Sequence, residues 1–243
     1  MDSKSGYIIL IESATDSCSV ALSKGCELVC EEYLDTPKVQ DKMLASLVES
    51  VLKKEGLSAK DCSAVAVSSG PGSYMGLRIG ASLAKGLAYG AGINLIGVNT
   101  LAVIAQCAID NALLQKGETK IVPMIDAGRM EVYTATFNLK MEELSSTCAK
   151  ILDFESFSEE LDSERVLFTG NGAAKFEALL KASLDESVKK RLANATFCEQ
   201  LPHASGLRVK ASEAIKNSKY ESIAYFEPFY LKDFIPGKPK KLL

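Results

Sequence analysis

Blocks of apolar residues separated by polar turns predict a chain that begins with three strands followed by a helix. The opening stretch "YIILIESATDSCSVALS" contains an apolar strand, a polar turn and a β-branched strand, and "ELVCEEYL" predicts a third strand. The next block, "VQDKMLASLVESVLKKEGL", has apolar residues at the spacing of a core-facing helix. These apolar residues are Leu44, Leu47, Val48, Val51 and Leu52.

Two strand–helix units complete the first half of the chain. The stretch "SAVAVSSGPGSYMGLRIG" predicts a strand, a turn that contains Gly70 and Gly72, and a helix. The stretch "INLIGV" predicts a short buried strand, and Thr100 is a candidate N-cap for the helix "LAVIAQCAIDNALL". The first half therefore has the predicted order βββαβαβα.

The same elements recur in the second half in the same order, which indicates an internal duplication. The stretch "KIVPMIDAGRMEVYTATF" repeats the first strand pair, with Asp126 in the place of Glu12, and "LSSTCAKIL" predicts the next strand. In "ERVLFTGNGAAKFEALL" the strand, glycine turn and helix recur, and Gly170 and Gly172 match the earlier pair of glycines. A weaker strand near "NATFCE" and a helix in "PHASGLRVKASEAIKN" complete the repeat.

Two duplicated βββαβαβα lobes predict an α/β protein with the actin-like ATPase (ASKHA, ribonuclease H-like) fold. We divide the chain into a first lobe at residues 1–102, a second lobe at residues 103–217, and a C-terminal segment with a basic tail at residues 218–243. In such a fold a nucleotide sits in the cleft between the lobes. The strand-end carboxylates and the two glycine turns are predicted to line this cleft.

Composition indicates a cytoplasmic protein. The chain has 243 residues, of which 47% are hydrophobic, and a net charge of −3. No apolar stretch approaches the length of a membrane span, and the start "MDSKSGYIILIES" lacks the pattern of a signal peptide. The seven cysteines include no CxxC pair, which is typical of reduced thiols in the cytosol. We therefore expect no contact with a membrane.

The slightly acidic balance does not favour a stand-alone nucleic-acid binder, although the C-terminal tail is basic. The lysines of this tail are Lys232, Lys238, Lys240 and Lys241. Two interpretations of the tail stay open, a solvated surface and a contact with a phosphate backbone inside a complex.

The glycine-rich stretch "GPGSYMGLRIG" begins like a phosphate-binding loop but does not complete such a motif. A P-loop requires Gly-Lys-Ser/Thr at positions that Leu77 and the two residues after it occupy, and Met75 stands where a dinucleotide-binding loop needs its third glycine. Ser73 is either an ordinary N-cap or part of an anion site at the helix N-terminus.

The glycines that follow this turn recur on one face of the predicted helix. Gly72, Gly76, Gly80 and Ala84 are spaced by four residues, and each glycine inside a helix costs roughly 1 kcal/mol relative to alanine. Such a smooth face allows a second helix to approach closely. The second helix would lie either within the lobe or across a subunit interface, and the sequence leaves both interpretations open.

Glu12 and Asp126 are candidate magnesium ligands of a kinase-like cleft. Arg129, however, follows Asp126 in a short turn where its side chain would crowd a phosphate, and no general base stands nearby in the sequence. We therefore favour strand-end carboxylates that accept hydrogen bonds, and predict no catalytic residues and no metal site. The only histidine, His203, is insufficient for a His-x-x-x-His metal site.

Several stretches resemble the TsaB (YeaZ-type) family through nearly the whole chain. They are "IESATDSCSVAL", "GPGSYMGLRIGASLAKGLA", "NLIGVNTLAVIA", "DAGRMEVY" and "PFYL", and the second is the most specific. The chain departs from the family pattern at Glu12 and Ser13, where the family usually has Asp-Thr, at Met75, and at residues 40–42, where a His-Ser-Glu is common. These departures weaken the case for a working ancestral cleft.

The resemblance implies a role in tRNA modification. Members of the family are actin-like pseudo-enzymes that pair with the related catalytic protein TsaD. Together with the ATPase TsaE, they help to attach threonylcarbamoyl to the adenosine beside the tRNA anticodon in bacteria. On this basis we expect a non-catalytic scaffold that forms a heterodimer with TsaD, meets tRNA only through the complex, and forms a homodimer when alone.

We expect the docking surface to lie on the two long helices of the first lobe. The predicted interface residues are Met43, Leu47, Ser73, Gly76, Leu77, Gly80 and Ala84. The predicted degenerate nucleotide cleft comprises Glu12, Ser13, Gly70, Gly72, Asp126, Arg129, Gly170 and Gly172. We expect no tightly bound cofactor, and at most weak binding of ATP or ADP with Mg at the partner interface. The alternative function is a small-molecule kinase or ATPase that uses the interlobe cleft.

Overall fold

Two five-stranded sheets form the framework of the protein, for which the computed structural model describes residues 6–36 and 40–232. The strands of the first sheet are β1 (Tyr7–Glu12), β2 (Cys18–Lys24), β3 (Glu27–Leu34), β4 (Ala64–Gly70) and β5 (Asn94–Asn99). Those of the second sheet are β6 (Glu118–Asp126), β7 (Glu131–Asn138), β8 (Glu143–Ile151), β9 (Arg165–Thr169) and β10 (Ala195–Cys198).

The two sheets have the same topology. The strand order is β3-β2-β1-β4-β5 in the first sheet and β8-β7-β6-β9-β10 in the second. In each sheet the first three strands form an antiparallel meander, and the last two strands run parallel to the first. The duplication predicted from the sequence is confirmed, including the weak last strand of the second half.

Seven helices cover the sheets in the described part of the chain. They are α1 (Gln40–Lys54), α2 (Tyr74–Ala91), α3 (Thr100–Asp110), α4 (Ser158–Ser163), α5 (Ala173–Lys181), α6 (Glu186–Ala193) and α7 (Arg208–Lys216). The sequence patterns predicted α1, α2, α3, α5 and α7. The repeat order implies a helix at the position of α4, although no stretch was assigned to it, and α6 was not predicted. Both helices are short and bury only Leu161 and Val188 respectively, too few apolar residues to produce a periodic signal.

The helices and sheets pack as alternating layers. α1 and α2 bury their apolar faces against one side of the first sheet, and the predicted core residues of α1 are all buried there. On the other side of this sheet lie part of α3 and the start of α7. The remaining face of α3 packs against the second sheet, whose outer side is covered by α4, α5 and α6.

Helix α3 lies between the two sheets and is part of both cores. Every residue from Thr100 to Ala108 is buried. Its N-cap is Asn99, whose side chain accepts a 2.8 Å hydrogen bond from Leu101 N, and this corrects the expectation that Thr100 forms the cap. The Thr100 hydroxyl instead accepts a hydrogen bond from Gly70 N at 3.2 Å.

The proposed domain boundary at residues 102 and 103 falls inside α3, and α7 packs against the first sheet although it follows the second in sequence. The apolar residues of α7 and of the turn before it contact β1, β4 and β5. The domain division therefore stays a prediction. Lys238, Lys240 and Lys241, the last three lysines of the basic tail, lie outside the described residues.

The glycine face of α2 packs against the turn that follows β1 in the same lobe. A Cβ at Gly76 would lie 2.1 Å from the carbonyl oxygen of Ser13, and a Cβ at Gly80 would lie 2.2 Å from Ser13 Oγ. Ser13 Oγ donates a 2.9 Å hydrogen bond to Gly76 O. Of the two interpretations that the sequence left open, close packing inside the lobe is therefore the one that the structure shows.

We expect Gly76→Ala to destabilise the protein by about 1–3 kcal/mol, because the added methyl group must displace main-chain atoms of Ser13. The matched control is Gly86→Ala in the same helix, where a Cβ meets nothing within 4 Å. This change should stabilise the protein by up to about 1 kcal/mol through helix propensity. Urea denaturation of both variants measures the difference, and equal free energies of unfolding for the two would contradict the packing argument.

Candidate functional site

An open cleft of about 440 Å³ lies between the lobes at the end of β6. The turn after β1 and the residues that begin α2 form one wall, and the turn after β6 forms the other. The lining residues are Ala14, Thr15, Asp16, Ser17, Asp35, Gly72, Ser73, Ile125, Asp126, Ala127, Tyr133, Asn171, Glu199 and Leu201. Four of these residues carry carboxyl groups and none carries a basic side chain.

Glu12 is completely buried and does not line the cleft. Its Oε1 accepts a 2.7 Å hydrogen bond from Ala14 N. Its Oε2 and the hydroxyl of Ser68 are both buried and lack a hydrogen-bond partner of ordinary geometry within the described residues. Burial raises the pKa of Glu12 to about 7, although the hydrogen bond from Ala14 lowers it somewhat. Below this pH the carboxyl is neutral and poorly suited to bind a metal cation.

Asp126 occupies the equivalent position in the second lobe, but its side chain is partly exposed to the cleft. Its Oδ1 accepts hydrogen bonds from Lys175 Nζ and from Gly128 N, the latter at 2.7 Å. Burial raises the pKa of Asp126, but the hydrogen bonds and the positive charge of Lys175 outweigh this effect and hold the pKa below its ordinary value.

Lys175 also closes the turn that follows Asp126. Its ammonium group donates to Arg129 O at 2.9 Å and to Glu131 O at 3.1 Å, so all three of its donors are used. Arg129 has a positive φ of 50° and an exposed side chain. The two predicted carboxylates therefore have different environments, since Glu12 is sealed inside the lobe and Asp126 is paired with a lysine.

The four glycines of the two turns are each explained by close packing within the chain. In the first turn, a Cβ at Gly70 would lie 2.4 Å from Phe229 O, and a Cβ at Gly72 would lie 2.4 Å from Ala14 O. Gly70 also has a φ of +115°, which disfavours other residues. In the second turn, a Cβ at Gly170 would likewise meet the carbonyl oxygen of Met124, whereas a Cβ at Gly172 would lie 2.9 Å from Val132 Cγ1. Three of the glycines thus serve the approach of neighbouring main chain, and Gly172 leaves room for a side chain.

Ser73 is the N-cap of α2, as one of the two interpretations of this residue predicted. Its hydroxyl accepts a 3.3 Å hydrogen bond from Gly76 N, and Ser73 N donates a 2.7 Å hydrogen bond to Ala14 O. Gln40, which begins α1 where the family pattern differs, donates from Nε2 to Thr15 O and Asp16 O at 3.0 Å each. The helices of the first lobe are therefore both tied to the turn after β1.

Most of the predicted interface residues are buried within the chain. Leu47, Gly76, Leu77, Gly80 and Ala84 belong to the core of the first lobe. Met43 is half-buried, and only Ser73 is exposed. The sequence pattern thus selected the inward faces of the two helices, because glycine spacing alone does not distinguish contact with the chain's own turn from contact with a partner.

The outward surface of the same two helices carries several small residues beside charged ones. We define the α1–α2 face as Ala45, Glu49, Met75, Ser82, Gly86 and Gly90, all of which are exposed. A Cβ at Gly86 or Gly90 would meet no atom within 4 Å, so the lobe itself does not require glycine at either position. An open groove of about 520 Å³, with Val48, Leu52 and Leu87 in its walls, runs between the helices.

Other candidate chemistry is limited. Within residues 6–36 and 40–232, no group of three or more His, Cys, Asp or Glu side chains is arranged to hold a metal ion. The ring of His203 stacks on Tyr33 with 4.4 Å between the ring centroids. No helix in the described part of the chain has the length and apolar character needed to cross a membrane.

Sequence comparison identifies relatives of the chain. A family profile described as "TsaD: tRNA N6-adenosine threonylcarbamoyltransferase" matches residues 40–235. The tRNA threonylcarbamoyladenosine biosynthesis protein TsaB of Escherichia coli is 38% identical over 130 residues, which is 54% of each chain. The match to TsaB of Haemophilus influenzae has 26% identity and covers 95% of each chain. The first match thus spans about half of the relative, and the second spans nearly all of it.

Structural comparison agrees with the duplicated topology. A Pseudomonas aeruginosa protein described as similar to peptidase YeaZ superposes with a TM-score of 0.78 at 23% identity, over 93% of this chain and all of that one. A structure described as YeaZ from the same organism gives a TM-score of 0.76 at 24% identity, with the same coverage. These likenesses show the fold.

The two lobes of identical topology place the protein in the class of actin-like ATPase folds. The sequence relatives identify the family within this fold class. The chain belongs to the TsaD family, whose profile matches residues 40–235, and within that family to the TsaB (YeaZ) group.

We expect Glu12 to make the protein less stable as the pH rises. The pKa is about 7 in the folded state and about 4.5 in the unfolded state, so the folded state binds the proton more tightly. The free energy of unfolding should therefore fall between about pH 4.5 and pH 7, by about 3 kcal/mol in total from this group.

Glu12→Gln should remove this contribution to the pH dependence of the free energy of unfolding, because glutamine does not ionise. Urea denaturation at pH 5 and pH 8 measures the effect as the difference between the two free energies of unfolding. Asp16→Asn, which removes an exposed carboxyl from the same turn, is the control for net charge. An unchanged pH dependence in Glu12→Gln would show that Glu12 is ionised in the folded protein.

Proposed function

We propose that the protein is a non-catalytic subunit of the bacterial system that makes threonylcarbamoyladenosine in tRNA, and that it acts by dimerising with a TsaD-type enzyme. Its relatives are named as tRNA threonylcarbamoyladenosine biosynthesis proteins, and the matching family profile describes a TsaD. The observation that carries the proposal is the exposed stripe of Ser82, Gly86 and Gly90 on α2.

This stripe suits close contact with a helix of a partner. The three residues recur every four positions, so they lie along one line of the helix surface. Glycine at Gly86 and Gly90 costs roughly 1 kcal/mol each relative to alanine, and no contact within the lobe accounts for this cost. Small side chains let two helix backbones approach closely, and the groove beside the stripe offers apolar surface for the partner's larger side chains.

A partner with the same fold presents an equivalent pair of helices. Two such pairs can meet in a four-helix contact related by approximate two-fold symmetry. The same argument favours a homodimer of this chain when the partner is absent. TsaE and tRNA would then join through the complex, and tRNA would contact the protein only indirectly.

The cleft supports a role without catalysis. Phosphate groups bind where N–H groups and cations are free to contact them. The cleft instead has negative charge, which repels phosphate, from Asp16, Asp35, Asp126 and Glu199. The three donors of Lys175 are already used within the second lobe. We propose that any weak binding of ATP or ADP with Mg occurs at the partner interface.

Gly86→Leu and Gly90→Leu should each abolish the heterodimer while the monomer stays folded. A leucine at either position projects into solvent in the free protein and into the partner in the complex. Gel filtration with purified TsaD from the same organism measures the heterodimer, and reconstituted tRNA modification measures its consequence.

The matched control for this experiment is Ala182→Leu, which adds the same apolar side chain to an exposed position on the second lobe. It should co-elute with TsaD like the unmodified chain. Unchanged co-elution of both glycine variants with TsaD would exclude the α1–α2 face as the docking surface.

Calorimetric titration of the isolated protein with Mg-ATP tests the alternative kinase or ATPase function. We expect no saturable binding at micromolar concentrations, because the carboxylates of the cleft repel phosphate. Asp126→Ala should leave this result unchanged. Micromolar binding with turnover that is lost in Asp126→Ala would instead establish the enzyme.

A further inference from the structure

The C-terminal segment is built into the first lobe. After α7, Glu221 N donates a 2.9 Å hydrogen bond to Leu95 O and forms a bridge on the edge of β5. Phe226 is then buried in the core between the sheet and the helices α1 and α2. Its ring covers Gly97, where a Cβ would lie 2.9 Å from the ring. We refer to residues 219–232 as the C-terminal clasp.

The clasp next contacts α2 and the turn that leads into it. Lys85 of α2 donates to Ala224 O at 3.3 Å and to Phe226 O at 3.1 Å. Phe229 N donates a 2.7 Å hydrogen bond to Ser69 O, and Phe229 O fills the space beside Gly70. The main chain of the clasp is therefore paired with the end of β4, directly before α2.

Tyr230 completes the contact at the first turns of α2. Its ring lies against Tyr74 with 5.1 Å between the ring centroids, and its hydroxyl accepts a 3.3 Å hydrogen bond from Arg78 Nε. The guanidinium of Arg78 also lies over the ring of Tyr74, 4.4 Å from its centroid. Beyond Tyr230, Lys232 forms an ion pair with Glu131 in the second lobe.

The start of α2 is thus held from two sides. The turn after β1 contacts it through Ser13 and Ala14, and the clasp contacts it through Phe229 and Tyr230. The residues of α2 between these contacts include Met75, which belongs to the α1–α2 face. The second contact comes from a segment more than 130 residues away in sequence.

We propose that the C-terminal clasp positions the N-terminal half of α2 for docking, with Tyr230 as its principal positioning residue. This inference rests on the proposed function, because it concerns the same α1–α2 face. The clasp restrains α2 in the free protein, so that association with the partner does not have to order the helix. Tyr230 acts through Tyr74 and Arg78.

Tyr230→Ala tests the proposal with two measurements. Amide hydrogen exchange of the free protein at residues 74–80 should become faster, because the first turns of α2 lose their restraint. The dissociation constant with TsaD should rise by about tenfold, which corresponds to about 1.4 kcal/mol. The matched control is Tyr225→Ala, which removes a tyrosine from the same segment whose side chain is 86% exposed. It should change neither quantity.

Two milder variants keep the test decisive if Tyr230→Ala does not fold. Tyr230→Phe retains the ring and removes only the hydrogen bond from Arg78, so its effects should be in the same direction and smaller. Lys85→Met removes the hydrogen bonds to Ala224 O and Phe226 O and should also speed exchange in α2.

The outcomes separate this inference from the proposed function. Faster amide hydrogen exchange at the start of α2 together with weaker binding of TsaD supports the positioning role of the clasp. Weaker binding with unchanged exchange identifies Tyr230 as a direct contact and overturns positioning, and faster exchange with unchanged binding overturns it as well. If the unmodified chain does not bind TsaD, the proposed function fails, while unaltered exchange in all three variants refutes the clasp regardless of the partner.

Discussion

The contact between the glycine edge of α2 and the turn after β1 is the constraint on which the first lobe depends. The carbonyl and hydroxyl oxygens of Ser13 occupy the space that side chains at Gly76 and Gly80 would fill. Because the glycines leave this space open, α2 lies directly against the turn after β1, and Ser73 N donates a hydrogen bond to Ala14 O at the base of the helix. The opposite side of α2 is consequently free to face solvent.

The sequence predicted the duplicated topology well, because the two halves of the chain repeat the same hydrophobic periodicity and this periodicity determines the order of strands and helices. It could not assign α7 to a sheet, since an amphipathic pattern shows that Leu207 and Ala211 are buried but not against which partner. The glycines at 76 and 80 illustrate the same limit, because their spacing predicts close approach without naming the approaching group. The role of Gly70 was equally hidden, since its neighbour Phe229 comes from the far end of the chain.

The two strand-end carboxyl groups, at equivalent positions in the two lobes, have different environments. In the first lobe the strand-end carboxyl of Glu12 is buried beside Ser68, where burial favours its neutral form. In the second lobe the carboxyl of Asp126 remains at the surface but is paired with Lys175. The sequence correctly located both strand-end residues. It could not reveal the pairing, because Lys175 lies on a helix nearly 50 positions away.

Helix α3 belongs to the cores of both lobes, and this has a consequence for motion. Proteins that open and close around a nucleotide need two bodies that move about a narrow hinge. Here the connection is itself a buried element, and separating the sheets would expose Leu101 and Ile104 to water. The protein is therefore suited to behave as a stiff block. Such stiffness would suit the scaffold role proposed above, because a stiff protein loses little conformational entropy when it associates with a partner.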